Sequence, residues 1–510
     1  MRGVARTASL AMLCIGLTSV AICTVPNASL STAVDLTSSA EALARAIRHG
    51  ELTSEALVAA SLDRISSLDR RGPHYRSILS LNEAALEEAR TLDAEAARGE
   101  YRGRLHGLPV LVKDTVETRE LPTTAGSPAL AENFTRRDAD VIAQLRSQGA
   151  IVLGKTNLSE WSNFRSSDAP AGWSGLGGQT LNAVDRSVSP CGSSSGSAVA
   201  VALSLAPLAV GVETNGSITS PAACNGVVGM KPTVGLVSQA GIIPVSRSQD
   251  SAGPMARTVR DAALMLNAMV GPDAADRSVD YLAEIERGVQ GMRVGVFRWA
   301  EGTNPEVSAA FNRALGALEA HGAVLVDITS FRPDPITWES GGTLLDIEFR
   351  ADLDAYLANA PEEVPVRSIT DLITFNADHA TDGSLDQSGL IQAATAPSIE
   401  SAQYKRISTA IKAATGPQGI DALLKSHRVE VLVMPSGALP SPLDGDERAS
   451  SNAPPIGASW LAAMAGYPAL SVPMQSEADR LPVGMLMTAT AWNDALLLRV
   501  GRALEIALAR

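Results

Sequence analysis

The feature that most constrains the fold is a series of apolar runs, four to six residues long, that alternate with helical patterns. Residues 108–112 (Leu-Pro-Val-Leu-Val) stand between Gly107 and Lys113, and residues 150–153 (Ala-Ile-Val-Leu) follow a helical pattern that ends at Gly149. Short apolar runs bounded by turn residues indicate buried strands. The same alternation returns at 293–297, 323–326 and 429–434. Strands that alternate with helices predict an α/β fold.

The remaining segments predict helices and loops around these strands. Apolar residues between positions 38 and 98 recur at helical spacing, which predicts two or three amphipathic helices. The stretch from 172 to 196 is rich in Gly, Ser, Asn and Pro, and it predicts a loop that leads into a buried helix over 197–208. The linker-like stretches at 380–387 and 435–455 are short. We therefore expect one domain over residues 34–510.

The charge balance argues against a nucleic-acid partner. Lys and Arg number 42 against 55 Asp and Glu, which gives a net charge of -13. Binding to a phosphate backbone depends on a basic surface, and this composition does not supply one. We expect no nucleic-acid partner.

The first 33 residues predict a secretory signal peptide. Arg2 and Arg6 precede a run from residue 8 to residue 25 that contains no charge, and small residues follow it. A membrane anchor is the alternative, but Gly, Ser and Thr dilute the apolar run. We expect cleavage near Ala33, a secreted or periplasmic product and no stable membrane anchor.

Cleavage would remove Cys14 and Cys23 and leave Cys191 and Cys224. Two cysteines are too few for a disulfide framework, although an exported protein could form one bond. Free cysteines commonly behave as small buried apolar residues. The sequence therefore favours two unpaired thiols at positions 191 and 224, with a bond between them as the alternative.

Two loops of small residues flank the apolar stretch after residue 197. The first is Ser189-Pro-Cys-Gly-Ser-Ser-Ser-Gly-Ser197, and the second is Glu213-Thr-Asn-Gly-Ser-Ile218. Loops of this composition let backbone N–H groups point at a bound oxyanion. A flexible connection or a phosphate cradle is the ordinary alternative, but no Walker motif is present. The loops are candidates for nucleophilic catalysis by serine.

A nucleophilic serine needs a base, and no histidine stands in a suitable arrangement with these loops. A lysine can act as a base near neutral pH when burial keeps it uncharged. Lys113 and Lys155 both end apolar runs, and Lys231 before Pro232 is a third candidate. The residues themselves do not separate these three lysines.

The sequence contains no pattern of metal ligands. There is no His-x-x-x-His pair, no paired-cysteine motif and no acidic calcium loop. We expect an enzyme without a metal or another cofactor.

The run from Gly107 to about Val259 resembles the amidase signature family motif by motif. The motifs are Gly107-Leu-Pro-Val-Leu-Val-Lys-Asp114, Thr123-Thr-Ala-Gly-Ser127, Gly154-Lys-Thr-Asn157, the serine loop around Gly192, the segment from Gly211 to Ala222, and Gly229-Met-Lys-Pro-Thr-Val-Gly235. Their order and spacing also agree with the family. The resemblance extends from about residue 36 to the end, with the signature core at about 107–260, and it is loosest between 300 and 430.

This resemblance implies a large, mixed and twisted β-sheet with helices on both faces. It implies Ser217 as nucleophile, Ser193 as a bridging serine after a cis peptide bond at Gly192, and a neutral Lys113 as base. Backbone N–H groups of Thr214, Asn215 and Gly216 would bind the oxyanion and the substrate. The implied reaction is hydrolysis of a carboxamide through an acyl-enzyme, and the nearest subfamily is that of peptide amidases.

Several alternatives remain open at this point. The same serine could prefer esters or acylamides, and the fold could serve as a non-catalytic binding protein. One component of the tRNA-dependent amidotransferase shares the signature, but the predicted leader argues against it, and we expect no obligate protein partner. Asn215 and Thr219 depart from residues that are frequent in the family, which puts the substrate pocket in doubt. Asp250 and Arg257 are predicted to form a supporting ion pair behind the loops.

Overall fold

The computed structural model describes residues 34–166, 168–271, 279–380, 385–443, 459–474 and 481–509. The predicted signal peptide at 1–33 lies outside the described residues. Taken by itself, the chain from Asp35 onward is a compact unit. No helix in these described ranges is both long enough and apolar enough to cross a membrane.

The strands of the described residues are short. They are β1 (Ile78–Leu81), β2 (Pro109–Lys113), β3 (Ile151–Thr156), β4 (Trp173–Ser174), β5 (Gly178–Gln179), β6 (Leu208–Glu213), β7 (Val228–Lys231), β8 (Ser251–Ala256), β9 (Arg293–Val296), β10 (Val324–Asp327), β11 (Val431–Pro435), β12 (Ala469–Pro473) and β13 (Gly484–Thr488).

The α-helices of the described residues precede, separate and follow these strands. They are α1 (Ala40–Arg48), α2 (Ser54–Ile65), α3 (Ala85–Ala97), α4 (Asp140–Ser147), α5 (Ser195–Ala202), α6 (Thr219–Cys224), α7 (Val259–Met269), α8 (Tyr281–Glu284), α9 (Pro305–Ala320), α10 (Ile336–Ala358), α11 (Ile369–Asp378), α12 (Ser388–Ala394), α13 (Ala402–Thr415), α14 (Asp421–His427), α15 (Trp460–Ala465) and α16 (Asp494–Leu508).

The main sheet of the described chain has eleven strands in the order β1-β3-β2-β6-β8-β7-β12-β13-β11-β9-β10. Strand β2 is parallel to β3 and β6, and β9 is parallel to β10 and β11. The β6–β8, β7–β8, β7–β12, β12–β13 and β11–β13 pairs are antiparallel. The predicted α/β fold with a mixed sheet is confirmed.

Four adjacent strands next to the β1 edge of the sheet, β3, β2, β6 and β8, are buried on both faces. Every residue of β2, β3, β6 and β8 is buried, which requires a layer of chain above and below these strands. One core cluster joins strand residues Leu111, Ile151 and Ala209 to helix residues Val58 and Ala198. The strands that carry the signature motifs are therefore enclosed by packed chain on both faces.

Most of the predicted elements are present, with two differences. The runs at 108–112, 150–153, 293–297, 323–326 and 429–434 correspond to β2, β3, β9, β10 and β11. The helical interpretation of 38–98 is wrong at Ile78–Leu81, which forms β1 because it pairs along the edge of β3. The helix predicted over 197–208 ends at Ala202, and Leu208 already begins β6.

Candidate active site

The candidate lysine and the second serine loop lie at one edge of the sheet because two neighbouring strands are parallel. Strand β2 ends at Lys113, and β6 ends at Glu213, just before the loop that carries Ser217. Val112 of β2 lies opposite Val210 of β6. The carboxyl ends of parallel neighbours share one edge, which is where open α/β sheets bind their ligands.

Lys113 contacts a serine of the first loop. Its Nζ lies 2.7 Å from Ser193 Oγ and donates a hydrogen bond to Val212 O at 3.1 Å. Lys113 and Ser193 are both 0% exposed. Burial lowers the pKa of Lys113 to about 7, although the charges of Asp250 and Glu213 act in the opposite direction. A lysine with this pKa exists in substantial part as the neutral amine at neutral pH, as a general base must.

The other two candidate lysines have different partners. Lys155 Nζ forms an ion pair with Asp114 Oδ1 at 3.0 Å. Lys231 Nζ donates a hydrogen bond to Tyr467 O at 2.9 Å. Among the described residues, only Lys113 of the three lysines bonds to a serine of the two loops. The structure thus separates the candidates that the sequence left open.

Ser193 lies in a tightly packed loop just before α5. The peptide bond between Gly192 and Ser193 is cis, as the resemblance implied. The Ser159 N–H donates to Ser193 O at 3.1 Å. A Cβ atom at position 192 would collide with Ser159 Oγ, so a larger residue there would require the Ser159 side chain to move. These contacts hold Ser193 Oγ beside Lys113.

Ser217 lies in the turn between β6 and α6. The Ser194 N–H donates to Ser217 O at 3.0 Å, which places the two serine loops side by side. Ser217 is also buried, but at 5% exposed it is slightly more accessible than Lys113 and Ser193, which are 0% exposed. Within the described part of the chain, no hydrogen bond joins Ser217 Oγ to Ser193 Oγ. Among the described residues, the structure therefore brings the two loops together without a hydrogen bond between these two hydroxyl groups.

A buried carboxylate that the sequence did not single out fixes the Ser217 turn. Glu213 Oε2 accepts hydrogen bonds from Ile218 N at 2.7 Å, Thr219 N at 2.8 Å and Thr219 Oγ1 at 3.1 Å. Glu213 is fully buried. The first N–H groups of a helix lack partners within the helix, and an acidic residue shortly before the helix is the signal that could have indicated this role.

The predicted oxyanion segment, Thr214 to Gly216, follows β6 directly. Gly216 has φ +79°, in the left-handed region that favours glycine. Asn215 is exposed, and its Oδ1 accepts a hydrogen bond from Ser459 Oγ at 3.2 Å. In the described structure, the N–H groups of Asn215, Gly216 and Ser217 donate to no protein acceptor. These N–H groups are available to a ligand oxygen.

The chain matches the family model described as Amidase over residues 56–498. It belongs to the amidase family. A peptide amidase from Stenotrophomonas maltophilia is 43% identical, with a TM-score of 0.86 over 93% of this chain and 97% of that chain. The probable amidase of Arabidopsis thaliana is 34% identical over 90% of this chain and 88% of its own length. A glutamyl-tRNA(Gln) amidotransferase component from Deinococcus deserti is 32% identical over 91% of this chain and 96% of its own length.

These relatives confirm the resemblance seen in the motifs, and they establish the amidase as an enzyme that hydrolyses amide C–N bonds. In the described ranges, no group of three or more His, Cys, Asp or Glu side chains could hold a metal ion.

Two of the four cysteines of this amidase, Cys191 and Cys224, are joined, so the expectation that they are unpaired thiols is wrong. Cys191 and Cys224 form a disulfide with their Cα atoms 6.1 Å apart, within the usual range of about 4.4–6.8 Å. The chain between the two cysteines forms α5 and β6 and then turns back through α6. The end of α6 therefore lies against the first serine loop. This return depends on the tertiary fold, and the spacing of the cysteines does not reveal it.

Asp250 supports the oxyanion segment through Thr214, and the predicted ion pair with Arg257 is wrong. Asp250 Oδ1 accepts from Thr214 Oγ1 at 2.6 Å, and its Oδ2 accepts from the N–H groups of residues 245 and 246 at 2.8 and 2.9 Å. Burial raises the pKa of Asp250 to about 6. Asp250 precedes β8 and Arg257 follows it, so the length of the strand separates them. Arg257 donates to Ser38 O instead.

A cavity of about 320 Å³ opens beside the first serine loop and α6. Its wall includes Gly192, Ser220, the Cys191–Cys224 disulfide and residues 436–441. None of the described residues that line the cavity is charged. Such a wall suits an uncharged group.

Proposed function

We propose that this amidase cleaves carboxamides through an acyl-enzyme on Ser217, with Ser193 as proton relay and Lys113 as base. The contact that carries the proposal is the 2.7 Å separation of Lys113 Nζ and Ser193 Oγ, at a lysine whose pKa burial lowers to about 7. The hydrogen bond from Ser194 N–H to Ser217 O, which joins the Ser217 turn to the first serine loop, and the slightly greater exposure of Ser217 support its role as the nucleophile.

In the proposed reaction, Ser217 Oγ attacks the amide carbon and passes its proton to Ser193 Oγ, which gives its own proton to Lys113. The same path then returns a proton to the departing amine or ammonia, and water hydrolyses the acyl-enzyme. The relay requires contact between the two serine hydroxyls, and such catalytic contacts often tighten only when substrate is bound. The free N–H groups around Gly216 would stabilise the oxyanion.

We propose C-terminal peptide amides and small neutral amides as substrates. The 43% identity to a peptide amidase supports the peptide amide, and the uncharged wall of the neighbouring cavity supports a neutral acyl group. We also infer that the protein is exported. The order of charges and apolar residues in positions 1–33 supports this inference, and the Cys191–Cys224 disulfide suits an oxidising compartment.

The test is ammonia release from a panel of C-terminally amidated peptides and small aryl and aliphatic amides, with matched esters. Wild type should release ammonia, and Ser217→Ala should lose at least about a thousandfold in kcat because the nucleophile is gone. Ser197→Ala is the matched control, since Ser197 is a buried serine of α5 that bonds to Thr156 Oγ1 and Val210 O.

Each other outcome contradicts a stated part of the proposal. Full activity of Ser217→Ala would exclude Ser217 as nucleophile. Cleavage of esters alone would replace the amide substrate with an ester. A folded wild-type enzyme that acts on neither class would indicate a binding role.

A further inference from the structure

The Cys191–Cys224 disulfide links the two segments that carry the proposed serines. Cys191 directly precedes Gly192 and Ser193, and Cys224 is the last residue of α6, which begins two residues after Ser217. The covalent bond therefore spans the gap between the first serine loop and the helix that follows the nucleophile.

Two buried asparagine amides bridge the same pair of segments. Asn182 Nδ2 donates to Ser189 O at 3.0 Å and to Cys224 O at 2.9 Å. Asn225 Nδ2 donates to Pro190 O at 2.9 Å. These bonds and the disulfide converge on the first loop, so a set of side chains fixes the loop against α6.

The proposed relay depends on the relative position of these two segments. Ser193 is hydrogen-bonded to Lys113, whereas Ser217 is positioned by the turn that leads into α6. Proton transfer requires heavy-atom distances of about 2.6–3.2 Å, and a displacement near 1 Å can cost about a hundredfold in rate. A link between the loop and α6 limits that displacement.

We propose that the Cys191–Cys224 disulfide is a positioning element of the relay, so that the amidase reaches its full rate only in the oxidised state. This inference rests on the proposed function, because the relay is what the bond positions. The cysteines do not contact the reacting atoms; they act through Ser193 and Ser217.

The bond is open to a small reductant. Cys191 is partly exposed, and both cysteines line the 320 Å³ cavity. A dithiol supplies two electrons and two protons and becomes a disulfide itself, while Cys191 and Cys224 become two thiols. No other covalent bond of the chain changes in this reaction.

The experiment measures kcat and KM for ammonia release at 25 °C in wild type and in the Cys191→Ser/Cys224→Ser double variant, together with the thermal midpoint. The double variant should lose about tenfold to a hundredfold in kcat, with KM changed by less than about threefold. Treatment of wild type with a dithiol should produce two additional thiols and the same loss, and reoxidation should restore the rate. The double variant is also the control for the dithiol treatment. It has no Cys191–Cys224 bond to reduce, so a dithiol should leave its rate unchanged.

A lower thermal midpoint with an unchanged kcat at 25 °C would assign the bond a purely stabilising role and overturn the proposal. If the double variant does not fold, brief reduction of folded wild type gives the same comparison. Failure of the proposed function is distinguishable, since it appears as activity in Ser217→Ala and does not depend on the state of the disulfide.

Discussion

At the scale of single residues, the surroundings of Lys113 set the pH dependence of the proposed reaction. The ammonium group is stabilised by water and by the charges of Asp250 and Glu213, and burial removes the water. Because the pKa falls to about 7, the base is neutral above that pH and protonated below it. We expect kcat/KM to fall about tenfold for each pH unit below 7, measured as ammonia release over pH 5–9.

Two variants test whether Lys113 is the base: Lys113→Met removes it, and Lys231→Met is the control. Lys113→Met should lose at least about a hundredfold in kcat, the usual contribution of a general base. Lys231 is equally buried and has a lowered pKa of about 8, but it bonds to a backbone carbonyl. The Lys231→Met variant should therefore keep the fall in kcat/KM below pH 7. If kcat/KM of an active Lys113→Met enzyme still falls below pH 7, then Lys113 is not the base.

The sequence could not distinguish Lys113 from Lys155 because the distinction is one of strand register. Lys113 is the last residue of β2 and Lys155 the last but one of β3, and both are fully buried. In the β2–β3 pair, Lys113 lies opposite Thr156 and Val112 lies opposite Lys155. The two side chains therefore leave opposite faces of the sheet, since neighbouring positions alternate. From the sequence, only the resemblance to the amidase signature family selected Lys113 over Lys155.

At the scale of secondary-structure elements, Glu213 holds the start of α6 behind Ser217. Glu213→Gln keeps the shape of the side chain and removes the charge that strengthens its three hydrogen bonds. We expect a loss of about 1–3 kcal/mol in the free energy of unfolding, measured by urea denaturation, and a larger change in kcat than in KM.

Glu306→Gln is the control for this change. Glu306 is an exposed acidic residue in the first turn of α9, so its loss should cost less than about 1 kcal/mol. Equal stability of Glu213→Gln and wild type would show that the charge does not hold the helix.

The elements that the sequence predicted are those with a local signal. The runs that form β2, β3 and β11 are continuous apolar stretches bounded by turns, and each one is a strand. Ile78–Leu81 lacks such a signal, because its strand character comes from pairing with β3. The disulfide likewise forms because the fold brings two distant segments together, and no local sequence pattern indicates this.

At the scale of the whole molecule, export can be tested on the full chain. A bacterial host should deliver the protein to the periplasm or medium with an N-terminus near residue 34, measured by mass and N-terminal sequencing. Replacement of Arg2 and Arg6 by Glu should keep the protein in the cytoplasm, because a signal peptide requires a basic start. An exported chain with an intact leader would contradict cleavage, and a wild-type chain that stays in the cytoplasm would contradict export.

The order of strands in the sheet has a consequence for how the chain reaches its native state. Strand β12 lies between β7 and β13, with Ala469 opposite Lys231, so a late segment of the chain fills a gap next to an early one. Until β12 is inserted, the growing chain presents an unpaired edge on β7, beside the strands of the site. Such edges recruit other chains, and pairings between distant segments form slowly. The eleven-stranded sheet is therefore complete only after residues 469–488 have been synthesised and have paired between β7 and β11.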